Sequence, residues 1–133
     1  MSTVTFLHDA RASEKEQALF YRALAALAEE RGDKQLSERL NGLHADEQHH
    51  LSRLTARLAE LGEALSDLSQ VEPPSVDLDT WEGTARAREA DEIARYEMLL
   101  SQELDGDTRT MIASFLDAER AHARELGGKW MDA

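Results

Sequence analysis

Two pairs of side chains in this sequence have the spacing of metal ligands on a helix. Glu47 precedes His50 by three residues, and Glu119 precedes His122 by the same interval. Residues at i and i+3 share one helical face, so the carboxylate and the imidazole of a pair can reach one ion or two adjacent ions. A single pair of this kind is a weak motif. The second pair strengthens the hypothesis of a metal site, and that hypothesis predicts further ligands elsewhere in the sequence.

A further carboxylate is expected opposite the first histidine because of a turn between them. Gly32-Asp33 interrupts a long helical pattern, and such a pair predicts a glycine that ends one helix and an aspartate that caps the next. Glu14 precedes Gly32 by the same interval along the chain as that by which His50 follows it. Folding at the turn therefore brings this glutamate level with this histidine.

The second half of the chain repeats the arrangement around Gly106-Asp107. Glu89 precedes Gly106 by nearly the same interval as that by which His122 follows it. A tyrosine also follows the first glutamate by the same spacing in both halves, at Tyr21 and Tyr96. This is a repeat of spacing rather than of identity. It predicts equivalent ligands at one depth in both halves.

The elements that must position these residues are four helices. Apolar residues recur with a 3.6-residue period on both sides of Pro73-Pro74, and nothing in the pattern indicates a strand. Each helix carries at least one carboxylate on the face that should be buried. Glu92 lies on that face of the third helix, three residues after Glu89. The predicted fold class is all-α, with helices at about 5–31, 34–61, 80–104 and 107–127.

The segment at about 62–79 is rich in serine, aspartate and proline and is predicted to be a linker. Neighbouring antiparallel helices usually need loops of only about two to eight residues. An extended linker of about 17 residues reaches roughly 55 Å, which is enough to run the length of a bundle. Two antiparallel helical hairpins joined by one long crossover make a ferritin-like four-helix bundle. We predict that fold as a single domain over 1–133.

This arrangement favours a two-metal centre. Four glutamates carry enough negative charge to balance two divalent ions, and Glu92 would add a fifth carboxylate when the ions are oxidised. Mixed carboxylate and imidazole ligation suits iron or manganese. We predict two iron ions, with manganese or a mixed metal as the alternative. The six predicted core ligands are Glu14, Glu47, His50, Glu89, Glu119 and His122.

Composition narrows the classes of function. The chain has 15 basic and 27 acidic residues, which argues against nucleic acid as a partner, and it has no cysteine for a thiolate site. It has no long apolar run and no signal-like start, so we expect no membrane association and a cytoplasmic location. The structural alternative is a metal-free helical interaction module with its acidic residues on the surface. Burying several carboxylates without a cation would cost several kcal/mol each, which weighs against that alternative.

The motifs around these residues resemble the rubrerythrin family over nearly the whole chain outside the linker. In the first half the resemblance rests on Glu14, the Gly32 turn and Ala45-Asp-Glu47-Gln-His-His50. In the second half it rests on Glu89-Ala-Asp-Glu92 and Ala118-Glu119-Arg-Ala-His122. The resemblance implies a non-haem di-iron carboxylate site and an oxidoreductase that reduces hydrogen peroxide or dioxygen with ferrous iron.

The resemblance also implies a role for each ligand. Glu47 and Glu119 would bridge the two metals, and Glu92 would exchange with a histidine as the irons change oxidation state during peroxide reduction. The remaining ligands would each serve one metal, as terminal carboxylates at Glu14 and Glu89 and as imidazole ligands at His50 and His122.

One departure from the family bears on function. Rubrerythrins proper end in a cysteine-ligated rubredoxin domain that supplies electrons, and this sequence has no cysteine. A peroxidase built on this chain would need a separate electron-donor protein. The alternative within the same fold is ferroxidase activity and iron handling, as in ferritins. We expect a homo-oligomer, with a dimer as the first expectation.

Overall fold

The computed structural model describes residues 2–126, and within this range all regular structure is helical. The chain divides into two compact units, one ending at Trp81 and the other beginning at Glu82. Residue 1 and residues 127–133 of the predicted domain lie outside the described range, and so does the predicted last residue of the fourth helix. The four helices are α1 (Thr3–Arg31), α2 (Lys34–Glu60), α3 (Trp81–Leu100) and α4 (Gly106–Leu126).

In the first unit, α1 and α2 form the predicted helical hairpin. Gly32 adopts the left-handed conformation, with φ 75° and ψ 16°, and its N–H donates to the carbonyl of Glu29 at 3.1 Å. The Asp33 side chain then accepts a hydrogen bond from the N–H of Leu36 at 3.1 Å and caps α2. The predicted roles of this glycine and this aspartate are confirmed, since only glycine adopts this conformation without strain.

The start of α1 is earlier than predicted. The Ser2 hydroxyl accepts a hydrogen bond from the N–H of Thr5 at 3.2 Å, so the helix begins at Thr3 rather than near residue 5. Serine at this position satisfies one of the donors left free at a helix N-terminus. Within the same helix, the Nε2 atom of His8 lies 3.2 Å from a carboxylate oxygen of Glu63.

The residues between α2 and α3 have no regular structure, and they belong to the first unit. Arg11 on α1 binds the linker through hydrogen bonds. Its Nη1 donates to the carbonyl of Ser66 at 2.9 Å, and its Nε donates to the hydroxyl of Thr55 on α2 at 2.9 Å. One side chain therefore joins both helices of the hairpin to the segment that follows them.

In the second unit, α3 and α4 form the other hairpin, but α3 ends at Leu100, earlier than the predicted end near residue 104. Arg109 of α4 explains the difference, because its Nη1 donates to the carbonyl of Leu100 at 3.0 Å and its Nη2 to that of Gln102 at 2.8 Å. Carbonyls at the end of a helix need donors, and here a residue of the next helix supplies them.

The prediction that Gly106 ends α3 in the left-handed conformation and that Asp107 caps α4 is wrong. Gly106 is the first residue of α4, and the described glycines with positive φ are Gly32 and Gly62. Asp105 has the capping geometry instead. Its carboxylate accepts from the N–H of Thr108 at 3.0 Å and from the hydroxyl of Thr108 at 2.7 Å. The threonine hydroxyl adds a second hydrogen bond that favours Asp105 over Asp107.

The apolar and ligand residues that recur at helical intervals on the inward face of each helix are buried, and Leu36 near the start of α2 is half-buried. The apolar side chains on these faces include Tyr21, Leu24, Leu40 and Leu54 in the first unit. Within the described residues, no helix is both long enough and apolar enough to cross a membrane.

Candidate metal centre

The side chains predicted to bind metal are buried polar groups on otherwise apolar helix faces. The two histidines are each 4% exposed, and Glu92 is 3% exposed. Charged side chains this deeply buried are rare unless they are paired or bind a metal. The other four carboxylates have no exposed surface: Glu14, Glu47, Glu89 and Glu119.

The first unit brings together Glu14 of α1 with Glu47 and His50 of α2, which we call the first ligand group. The Nδ1 atom of His50 lies 3.5 Å from Oε2 of Glu14. One ligand atom from each of the three residues lies within 4.8 Å of the others. The turn at Gly32 produces this contact, because it sets the register in which α2 returns along α1.

The second unit brings together Glu89 of α3 with Glu119 and His122 of α4, which we call the second ligand group. The Nδ1 atom of His122 lies 3.5 Å from Oε1 of Glu89 and 3.3 Å from Oε1 of Glu119. One ligand atom from each residue again lies within 4.8 Å of the others. The level pairing predicted from the spacing holds in this hairpin, although the turn is not built as predicted.

The geometry of each ligand group fits a metal ion. Two donors bound to one ion at about 2.1 Å, and separated by roughly 90–110°, lie roughly 3.0–3.4 Å apart. The nitrogen–oxygen distances of 3.5 Å in the first group and of 3.3 and 3.5 Å in the second are close to that separation. The donors are carboxylate oxygens and an imidazole nitrogen, which suits iron, manganese or zinc. The residues present therefore fit the metal that the sequence predicts.

Glu92 is placed differently from the six residues of the ligand groups. It is buried on α3, but it belongs to neither group. Nη1 of Arg95 donates to its Oε1 at 2.9 Å. Arg95 is not among the residues predicted from the sequence. The spacing of the two residues could have indicated the contact, since an arginine three residues after a buried glutamate lies on the same helical face.

Aromatic residues pack in the core of both units. Tyr21 contacts Phe20 with ring centroids 5.2 Å apart, and Tyr96 contacts Phe115 at 5.8 Å, and all four rings are buried. Both pairs have the tilted geometry that aromatic rings prefer. The tyrosines that recur at the same spacing are therefore core residues of their units.

His44 on α2 is half-buried. Its Nδ1–H donates to the carbonyl of Ala18 at 3.0 Å, which links the middle of α2 to α1. The hydrogen bond to a main-chain carbonyl gives it a structural function in the first unit.

Comparison with solved structures identifies the fold. The chain is similar to the bacterioferritin of Desulfovibrio desulfuricans, a protein whose di-iron site is described in different catalytic states. The two are 18% identical, and the match has a TM-score of 0.86 and covers 95% of this chain and 76% of the other. The protein therefore has the ferritin-like four-helix fold, and the predicted fold class is confirmed.

Comparison with protein families then places the chain more closely. The family model described as Rubrerythrin matches residues 5–128. The chain belongs to the Rubrerythrin family, as its motifs predict. No curated protein matches the sequence at a significant level.

Proposed function

We propose that this protein is a di-iron oxidoreductase that reduces hydrogen peroxide with electrons from ferrous iron. One observation carries the proposal. A chain of the Rubrerythrin family holds two buried ligand groups of the same composition, each with two glutamates and a histidine. Reduction of one peroxide to two waters takes two electrons and two protons, and a bound iron pair supplies the electrons.

The six residues of the two ligand groups would hold this pair. Glu47 and Glu119 are the proposed bridging carboxylates, and Glu14 and Glu89 are the proposed terminal ones. Each histidine would bind through Nδ1, the ring nitrogen that faces the carboxylates. The four carboxylates balance the charge of two divalent ions, which supports a pair rather than one ion.

Buried core residues of each unit would restrict the access of water to the iron pair. Tyr21, Leu24 and Leu54 in the first unit have no exposed surface, and neither do Tyr96 and Phe115 in the second. Apolar surroundings strengthen electrostatic interactions with bound substrate and limit side reactions. A small oxidant such as peroxide suits a centre of this kind better than a large organic substrate does.

Peroxide reduction at this centre would also involve partners outside the chain. Peroxide reduction would need a separate electron-donor protein, because the chain has no cysteine with which to bind a rubredoxin-type iron. Dioxygen is the alternative oxidant. We also propose that the protein forms a homodimer and acts in the cytoplasm.

Two measurements test the proposal. Anaerobic titration with ferrous iron should saturate near two ions per chain. Stopped-flow oxidation of the loaded protein should then be faster with peroxide than with dioxygen at equal concentration. Saturation at one ion or none would contradict the di-iron centre. Faster reaction with dioxygen, with iron retained in an oxidised store, would favour the ferroxidase function, the second candidate suggested by the similarity to a bacterioferritin.

A metal-free interaction module is the remaining alternative, and thermal unfolding separates it from the proposal. A metal that binds the folded state alone stabilises it by mass action, by about 4 kcal/mol at a thousandfold excess over the dissociation constant. We expect the iron-loaded protein to unfold at a clearly higher temperature than the apo protein at pH 7, measured anaerobically by circular dichroism. Equal transition temperatures would mean that the buried carboxylates do not form a metal site.

A further inference from the structure

The carboxylate of Glu92 is buried next to a cation that reaches in from the protein surface. Its side chain is 4% exposed, whereas that of Arg95 is 31% exposed. The two form an ion pair at 2.9 Å between Nη1 and Oε1. A charge-assisted hydrogen bond to a buried carboxylate is among the stronger polar contacts in a protein. Arg95 therefore fixes the position of a fifth buried carboxylate, three residues along α3 from the ligand residue Glu89.

The first unit has no such pair at the equivalent positions. The residue three after Glu14 is Gln17, a neutral amide, and the residue three further on is Phe20. Both are 1% exposed. The glutamate and the arginine thus occur together in the second unit, where the first unit has an amide and an aromatic ring. Because the charges of Glu92 and Arg95 cancel, the two residues add no net charge relative to Gln17 and Phe20.

We propose that Arg95 is a positioning residue that keeps Glu92 off the metals in the reduced state and releases it in the oxidised state. This inference rests on the proposed di-iron function. Four carboxylates balance two divalent ions, so the reduced pair has little need of a fifth. Oxidation adds positive charge to the pair, which attracts Glu92 away from the guanidinium.

The geometry supports a movable contact. Arg95 is already partly in solvent, so its head group can be hydrated when Glu92 rotates away. The contact joins residues i and i+3 of one helix, so a change of the Glu92 side-chain rotamer is enough to break it. The strength of the ion pair then sets how readily the oxidised state recruits the fifth carboxylate.

The test is the midpoint potential of the iron pair in the full-length protein, measured by spectroelectrochemical titration. Arg95→Met keeps an unbranched stem like that of arginine and removes the charged guanidinium, so Glu92 is available to the oxidised pair and the potential should fall. Glu92→Gln should raise it. In the double variant, the shift caused by Arg95→Met should largely disappear. Arg120→Met, which breaks the exposed 2.8 Å pair with Glu97, is the matched control and should leave the potential unchanged.

The outcomes separate this inference from the proposed function. If the parent does not bind two irons, both are wrong. If it does, and Arg95→Met shifts the potential equally with and without Glu92, Arg95 acts only through its own charge and the inference is wrong. No shift, with a lower unfolding temperature, would give Arg95 a structural function and also overturn it. If Arg95→Met does not fold, Arg95→Lys allows the same comparison with a smaller shift, because lysine cannot reproduce the planar guanidinium contact.

Discussion

The two hairpins hold their ligands in the same way but differ beside them. In both, the histidine Nδ1 lies 3.5 Å from the glutamate of the preceding helix. Three residues after that glutamate, the first hairpin has Gln17 and the second has Glu92. The ligand geometry is therefore repeated in the two hairpins, while the charged residues beside it are not. A metal bound by the second ligand group therefore meets a different electrostatic environment from one bound by the first.

The largest expected effect comes from removing one bridging carboxylate from each hairpin. Glu47→Ala and Glu119→Ala should each abolish binding of both irons, because a bridging carboxylate serves both ions. The loss of affinity should exceed the roughly 10–100-fold that removal of a mere supporting contact costs. Iron content after anaerobic loading measures the effect. Glu97→Ala, at an exposed position on α3, is the control and should retain two irons. Retention of one iron in either bridging variant would make the two ligand groups independent.

An intermediate effect is expected from exchanging the residues that differ. Glu92→Gln makes the second hairpin resemble the first, and it should still bind two ferrous ions but react more slowly with peroxide, by roughly tenfold if Glu92 acts as a movable ligand. Gln17→Glu makes the first hairpin resemble the second without supplying an arginine. It should lower the stability of the apo protein by about 1–3 kcal/mol, since it buries a carboxylate where an amide stood. Stopped-flow kinetics and urea unfolding are the measurements.

Each exchange has an outcome that would contradict the comparison. If Glu92→Gln reacts with peroxide as fast as the parent, Glu92 has no function in the reaction. That result would favour iron handling over peroxide reduction. Unchanged apo stability for Gln17→Glu would mean that the first hairpin accommodates a fifth carboxylate as easily as the second. In that case the difference between the hairpins would have no electrostatic consequence.

The smallest effect concerns the two turns. Gly32→Ala places a side chain at φ 75° and should lower the free energy of unfolding by about 1–2 kcal/mol. Gly106→Ala lies in the first turn of α4, where an added Cβ meets nothing within 4 Å, and it should be neutral or stabilising by up to about 1 kcal/mol. Urea unfolding at fixed metal content measures both. Equal losses for the two variants would mean that the turns are more alike than their hydrogen bonds indicate.

Much of the fold and the burial of the site could be predicted because both depend on periodicity. Glu47, His50, Glu119 and His122 occupy positions where a regular apolar pattern requires leucine-like residues, and all four are buried. The Gly32 turn could be predicted as well, because glycine has a specific advantage in the left-handed conformation. Which of these residues bind metal remains a prediction that the iron titration tests.

The parts that could not be predicted depend on contacts between elements or on a choice between similar residues. The early end of α3 follows from Arg109, which lies in the next helix. The cap of α4 required a choice between Asp105 and Asp107, which flank the same glycine, and the hydroxyl of Thr108 decides it. The Arg95–Glu92 pair was visible as a spacing. Its significance required the observation that Glu92 is buried outside both ligand groups.

The attachment of the linker has a consequence for how the protein is made. Arg11 holds Ser66 and Thr55, and the whole linker belongs to the unit that ends at Trp81. During synthesis this unit emerges from the ribosome first, and compact units generally fold as they emerge. The linker would then already be bound to α1 and α2 before the second hairpin is complete. The first residue of α3 would therefore be held in place, and not at the end of a flexible chain. Holding the start of α3 in this way lowers the conformational entropy that the chain loses when the second hairpin folds.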